Sequence, residues 1–187
     1  MSNSSFSDLS TYDNSWYKPG GFIRRFIWYF VNHMVLRNSF LPFSSLKVGL
    51  LKLFGARIGL NVLIKPDVNI KYPWFLEIGS NTWLGEEVWI DNLGSVKIGN
   101  NVCISQGAML LCGNHNFKKS SFDLMVEPIA IEDGAWVGAR ALVCPGVIMQ
   151  MDSVLTAGSI AVGTLEAGGV YQGNPAVQVK RRKGAQQ

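Results

Sequence analysis

Residues 78–110 read IGSNTWLGEEVWIDNLGSVKIGNNVCISQGAML. An aliphatic residue returns at every sixth position, at Ile78, Leu84 and Ile90, and then at Ile98, Ile104 and Leu110. A helix turns about 100° per residue, so a six-residue step rotates by about 240° and lines no single face. A flat strand would need a turn too often for an ordinary hairpin sheet. The spacing suits short strands wound as a triangular coil. Each aliphatic side chain then points into a prism, and successive coils stack at the β-spacing of about 4.8 Å.

The same phase continues outward. It is held before the stretch by Ile58, Ile64 and Ile70, and after it by Ile131, Val137, Val143, Met149, Leu155 and Ala161. Glycine follows the aliphatic residue at Gly59, Gly79, Gly85, Gly99 and Gly138, where a corner is expected. Four places after the aliphatic residue stands a small or β-branched one in most units, such as Val68, Thr82, Val102, Ala108, Ala141 and Ser159. Five groups of three anchors predict about five coils. The steps from Ile70 to Ile78 and from Ile90 to Ile98 carry two extra residues each. The step from Leu110 to Ile131 carries fifteen extra, a loop over about residues 112–129 ejected from the solenoid. Loops of that size are usually functional or disordered. The expected fold class is an all-β solenoid, a parallel β-helix. An N-terminal helical cap segment occupies residues 1–56, the β-helix 57–170, and a C-terminal turn with a basic tail 171–187.

Before the repeats, Phe22, Ile23, Phe26, Ile27, Phe30, Val31, Met34 and Val35 form a stripe of helical period. Leu46, Leu50, Leu51 and Phe54 predict a second short helix, with Ser44 as N-cap and Gly55 as C-cap. The favoured role is to cover the first coil, since a solenoid end needs a cap, or to pack on a neighbouring subunit. A second role is peripheral membrane contact, with Arg24, Arg25 and Arg37 near lipid headgroups. Arg24, Arg25 and His33 break the greasy run Phe22–Leu36, which is too short to span a bilayer.

The 187-residue chain is 48% hydrophobic and 16% charged, a globular composition. Its net charge of +4 owes much to Lys180, Arg181, Arg182 and Lys183, read as a phosphate-attracting cluster or a solvated tail. No aromatic-and-basic nucleic-acid module is visible. Cys103, Cys112 and Cys144 form neither a disulfide framework nor a zinc motif, which fits reduced thiols in the cytoplasm. Met1–Ser5 is polar and does not open a secretory signal.

Several stretches taken together carry a family resemblance: residues 50–56 (LLKLFGA), Tyr72-Pro73-Trp74, residues 103–108 (CISQGA), residues 134–139 (GAWVGA), Pro145-Gly146-Val147 and residues 173–176 (GNPA). The chain resembles the hexapeptide-repeat acyltransferases. More narrowly it is similar to the colanic acid biosynthesis acetyltransferase subfamily, related to the maltose and galactoside O-acetyltransferases. The resemblance implies a left-handed β-helix, a homotrimer with active sites between subunits, and acetyl-CoA as co-substrate without a metal. It implies a sugar hydroxyl as acceptor, in exopolysaccharide or surface-glycan assembly; the expected location is the cytoplasm, with the inner face of the membrane as the alternative within it. An antibiotic or amino-sugar acceptor is the alternative within the class, and a non-catalytic β-helix scaffold is the alternative outside it.

Acetyl transfer to an alcohol needs the alcohol proton removed, and a neutral imidazole does this near neutral pH. His115, at the root of the ejected loop, matches the family's catalytic histidine; His33 falls in the N-terminal helix, outside the motif. Only two histidines are present, which excludes a carbonic anhydrase of this fold with zinc on three. By the same resemblance, the backbone N–H of Ala139 is the oxyanion donor, reaching a site on the adjacent subunit. Trp136 offers an aromatic face to sugar or pantetheine, unless it packs on the chain's own helices. The pantetheine arm runs past Gly138, Ala139, Ala157 and Gly158, and Lys180 and Arg181 meet the CoA head. One departure is Gly85, where relatives carry an acceptor-binding asparagine. Glu86, Glu87 or Asp91 is then left to bind the sugar or orient the imidazole, with Asn114 beside the histidine.

Overall fold

The computed structural model describes residues 6–182; the Met1–Ser5 and Lys183 readings fall outside them. Three parallel sheets run along the sides of a triangular prism. Side A stacks Arg57–Ile58, Leu76–Ile78, Val96–Ile98, Ile129–Ile131, Ile148–Met149 and Thr164–Leu165. Side B stacks Leu63–Ile64, Trp83–Leu84, Cys103–Ile104, Trp136–Val137, Val154–Leu155 and Gly169–Gly173. Side C stacks Asn69–Ile70, Trp89–Asp91, Met109–Leu111, Leu142–Val143 and Ile160–Ala161. The register pairs anchor with anchor, as in Ile58 with Ile78, Ile78 with Ile98 and Ile98 with Ile131. All fifteen anchors are buried.

A sixth coil begins beyond the five that the spacing predicts. Leu165 extends side A and Tyr171 extends side B. The step from Ala161 to Leu165 is four residues, which breaks the period and hides this coil from a six-residue count. The chain then reverses, and Ala176–Arg181 pairs antiparallel with Gly169–Gly173. Lys180 and Arg181 therefore belong to a strand that closes the edge of side B, not to a free tail.

The corners use the sequence differently from the simple expectation. The glycines that follow the anchors do not carry the left-handed backbone. That conformation falls three places after the anchor, at Asn61, Asn81, Asn101 and Asp152 between sides A and B, and at Asp67, Glu87, Gly107, Arg140 and Gly158 between B and C. Glycine after the anchor answers a close approach between coils. A Cβ on Gly79 would lie 2.5 Å from the backbone carbon of Gly99.

Two helices, α1 (Phe22–Val31, continued by a π-helical turn Asn32–Leu36) and α2 (Ser44–Leu53), cover the first coil. The open strand edges of that coil present unpaired backbone groups, which are costly to bury unsatisfied. The helices supply side-chain partners. Trp28 Nε1 donates to the Ile70 carbonyl at 2.9 Å, and Asn32 Oδ1 accepts from the Ile70 N–H at 3.3 Å while its Nδ2 donates to the Asn69 side chain. Lys47 Nζ donates to the Lys65 carbonyl at 2.7 Å, and burial holds this ammonium below the usual lysine range. Ser44 is not the N-cap of α2. It is the first helical residue, and its hydroxyl donates to Val62 O and accepts from Ile64 N. Gly55 does close α2: Ala56 N–H bonds Leu51 O and Gly55 N–H bonds Lys52 O, the Schellman arrangement.

The expected apolar stripe does not make this contact. Trp28, Asn32 and Leu36 face the coil with Val31 and Val35 at the margin, whereas Phe22, Ile23, Phe26, Ile27, Phe30 and Met34 are exposed. The edge needs hydrogen-bond donors as well as bulk, and the stripe has none. Among the described residues no helix is long and apolar enough to cross a membrane.

Trp28→Phe should destabilise the protein by about 1–3 kcal/mol, because it orphans a buried carbonyl. Trp28→Ala should cost about 3–5 kcal/mol. Urea denaturation of the two variants checks the order, and equal small losses would contradict the capping role.

Candidate active site

The ejected loop is a hairpin. Gly113–His115 pairs antiparallel with Leu124–Val126, so the chain leaves side C and returns to side A beside it. Its tip is closed by Asn116 N–H to Asp123 O at 2.8 Å and by Phe122 N–H to Lys119 O at 3.1 Å. Phe122 adopts a left-handed φ of 52°, which brings its ring flat against His115, with centroids 4.4 Å apart and planes 7° from parallel.

The same turn places the Phe122 carbonyl 2.8 Å from His115 Nδ1. A carbonyl oxygen only accepts, so the proton of a neutral ring sits on Nδ1 and the lone pair on Nε2. The half-buried imidazole is thus fixed in one tautomer, with a basic nitrogen free to act. Asn114 Oδ1 accepts the His115 backbone N–H at 2.8 Å, a local use of that side chain.

The N-terminal arm holds this hairpin from outside. Asp8 N–H donates to Ser120 O at 2.8 Å, and the Tyr12 ring lies 5.8 Å from the imidazole. Tyr17 donates its hydroxyl to Leu93 O at 2.7 Å. Neither Asp91 nor Glu86 orients the histidine. Asp91 is ion-paired with Lys71 at 2.8 Å on side C, and Glu86 stands 3.6 Å from Lys65 at a corner. Glu87 occupies a left-handed corner position and is exposed. Gly85 is hemmed in: a Cβ there would lie 2.6 Å from Gln106 N, so this backbone has no room for a side chain.

Side B carries a different set of groups. Register places Trp83 against Cys103 and Cys103 against Trp136, making an outward row. Trp136 donates Nε1–H to Ser105 Oγ at 2.9 Å and does not pack on the helices. Beyond it lies an open groove of about 600 Å³, whose lining includes Trp136, Thr156, Gln172, Lys180, Arg181 and Arg182. Arg181 donates to Ala167 O, and Arg182 donates to Gly134 O and lies 3.4 Å from Asp152. Among the described residues the Lys180 ammonium has no such partner, so it is the free cation of the three.

The corner after side B is unusual in its hydrogen bonding. At the A–B corner, N–H groups are capped by side chains of a neighbouring coil: Ser80 by Asn100 Oδ1, Asn100 by Asp133 Oδ1 and Met151 by Glu132 Oε2. At the B–C corner the corresponding N–H groups of Glu86, Gln106, Ala139 and Ala157 find no partner among the described residues. They form a row of open donors along the prism. Ala139 and Ala157 sit in consecutive coils of this row, where Gly158 N–H bonds Ala139 O at 2.9 Å and a Cβ on Gly138 would lie 2.5 Å from Ala157 N.

The candidate residues thus fall into two separate groups. His115 and its hairpin spring from side C; Trp136, Lys180 and Arg181 line a side-B groove that does not include His115. Sequence reasoning missed Trp83, although it shares with Trp136 the place before the buried anchor. It also missed the Phe122 carbonyl, a backbone group without a sequence signal. Among the described residues no cluster of three or more His, Cys, Asp or Glu could hold a metal.

No protein-family model matches the chain. It is 35% identical over 166 residues to WcaF of Escherichia coli (strain K12), provisionally named a colanic acid biosynthesis acetyltransferase; the match covers 89% of this chain and 91% of the relative. It is 30% identical over 129 residues to the galactoside O-acetyltransferase of the same organism, covering 67% of this chain and 64% of that one. The hexapeptide-repeat acetyltransferase VCA0836 of Vibrio cholerae superposes with a TM-score of 0.78 at 19% identity, over 86% of this chain and 92% of that chain. A galactoside acetyltransferase in complex with coenzyme A superposes with a TM-score of 0.75 at 22% identity, over 85% and 80%.

The thiols offer a check of the geometry. Burial pushes Cys112 up to about 11, while Cys103 stands half-exposed in the tryptophan row. Near pH 8, iodoacetamide should label Cys103 well before Cys112, read by peptide mass spectrometry. Cys112 reacting first would contradict the placement.

Proposed function

The chain belongs to the family of the colanic acid biosynthesis and galactoside acetyltransferases, which carry the hexapeptide-repeat fold, and on that premise we propose that it moves an acetyl group from acetyl-CoA to a sugar hydroxyl during surface-polysaccharide assembly. The observation that carries this reading is the fixed imidazole, with His115 Nδ1 committed to the Phe122 carbonyl and Nε2 left basic.

In the proposed step the acceptor hydroxyl donates to Nε2. Its oxygen attacks the thioester carbonyl as the proton passes to the ring. The tetrahedral oxyanion takes a hydrogen bond from an open corner N–H, that of the partner subunit's Ala139. Collapse breaks the carbon–sulfur bond. The CoA thiolate leaves and takes the proton back from Nε2, which restores the neutral ring.

A cyclic homotrimer supplies the meeting that a single chain lacks, with side C and hairpin of one subunit facing side B of the next. The N–H row at Ala139 and Ala157 matches the amides of a pantetheine arm lying along the prism. Trp136 gives that arm an apolar wall, and the free Lys180 ammonium suits the CoA phosphates as a point charge. Arg181 and Arg182, already tied to backbone carbonyls, hold the closing strand. Gly85, Glu86, Asp91 and Asn114 stay as acceptor-side candidates, with Glu86 and Asp91 reaching a sugar only by leaving their lysines. A CoA thioester donor and three free thiols fit the cytoplasm.

His115→Ala should lower turnover by roughly 100-fold or more, with oligomer mass and acetyl-CoA affinity retained. The assay is CoA release against a panel of sugars and glycan precursors. Unchanged turnover would remove His115 from the chemistry.

A further inference from the structure

The outer surface of the helical cap is not explained by acetyl transfer. On α1, Phe22 is 71% exposed, Ile23 72% and Met34 67%, with Phe26, Ile27 and Phe30 about half exposed. Phe22, Phe26 and Phe30 form a ridge of rings with centroids 5.9 and 5.0 Å apart. Phe40, Phe43 and Leu53, in and before α2, are also exposed. Single exposed apolar residues are ordinary, but a continuous aromatic ridge on an amphipathic helix marks a contact surface.

The charge around the ridge identifies the partner. Between Asp13 and Asp67 the chain carries eight lysines and arginines and not one carboxylate; all thirteen Asp and Glu lie elsewhere. Of the eight, Arg57 pairs with Glu77 and Lys65 with Glu86, and Lys47 is buried. Lys18, Arg24, Arg37 and Lys52 are exposed and form no ion pair among the described residues. Arg24 lies over the Trp74 ring at 4.3 Å and bonds the Phe54 carbonyl, which fixes its place at the margin of the ridge. An end-to-end contact with a second copy would set this basic segment against itself, with Asp67 and Glu87 beside Arg37 the carboxylates at its margin, and like charges would predominate across the contact. A bilayer with anionic headgroups satisfies both halves, since rings enter the acyl boundary and cations meet phosphates.

We propose that the outer face of the N-terminal cap docks the enzyme on an anionic lipid bilayer, with Phe22, Phe26 and Phe30 as the inserted ridge. This stands apart from the catalytic reading in its chemistry, but gains from the trimer proposed above: three caps at the same end of a cyclic trimer point the same way and bind together. Docking of this kind would hold the acceptor site near lipid-borne glycans.

The test is co-sedimentation of the full chain with phosphatidylcholine vesicles, with and without phosphatidylglycerol. Partitioning to the anionic vesicles should exceed that to neutral ones by roughly tenfold or more and fall as salt is raised. The triple change Phe22→Ser, Phe26→Ser and Phe30→Ser should abolish it, with oligomer mass and turnover on a soluble sugar intact. A second variant, Lys18→Gln with Lys52→Gln, should weaken anionic binding alone. Wild-type protein remaining in the supernatant with both vesicles would overturn the proposal, as would equal binding to both. A fall in oligomer mass in the triple variant would also overturn it, because the ridge would then be a subunit interface. Vesicle binding is read without catalysis, so its failure and that of the acetyl-transfer reading are separate results.

Discussion

The hydrogen-bond ladder between successive coils keeps each anchor directly above its counterpart one full coil earlier, Ile78 on Ile58 and Ile98 on Ile78. Slippage by one residue would turn buried anchors to solvent, so the aliphatic positions and the ladder fix each other. This register makes rows out of residues that are far apart in sequence. It sets Trp83, Cys103 and Trp136 in one line on side B and the N–H groups of Glu86, Gln106, Ala139 and Ala157 in another along a corner. A repeat architecture thereby builds an extended binding strip from a few atoms per coil, with no change in the buried prism behind it.

An end of such a stack is its weak point, because the last strands present bonds that nothing above completes. The two ends are closed by different means. At the C-terminal end the chain doubles back as an antiparallel strand. At the N-terminal end a helical cap meets the edge with an indole, an amide, an ammonium and a hydroxyl, from Trp28, Asn32, Lys47 and Ser44. That polar matching explains why the helix turns its richest apolar stripe away from the coil: edge carbonyls need donors, and phenylalanine has none.

The prism itself was legible in the sequence because its constraint is periodic. Ile58 through Ala161 repeat in a phase that neither a helix nor a hairpin sheet shares. The sixth coil is hidden from a six-residue count because the step to Leu165 shortens, and the glycine after five of the anchors answers close approach between coils, not turning. The candidate site is legible in the sequence only where a side chain would carry the chemistry, as proposed for His115 and Trp136. The groups that complete it are largely backbone: the Phe122 carbonyl that fixes the tautomer, and corner N–H groups left open because no side chain caps them. Such features depend on a local turn at Phe122 and on the absence of an Asn or Asp in the coil above, which a single sequence does not display.

In the proposed reading the labour of acetyl transfer is divided between faces of one prism, with the base on the side-C hairpin and the groove and donor row on side B. The catalytic account therefore requires two chains to meet. The most direct measurement mixes two inactive variants, His115→Ala and a groove-filling Trp136→Arg, by co-expression, and assays purified hybrid oligomers for CoA release. A shared site predicts that activity returns in the hybrids, where an intact imidazole faces an intact groove across one interface. Hybrids as inactive as either parent, with oligomer mass intact, would contradict it.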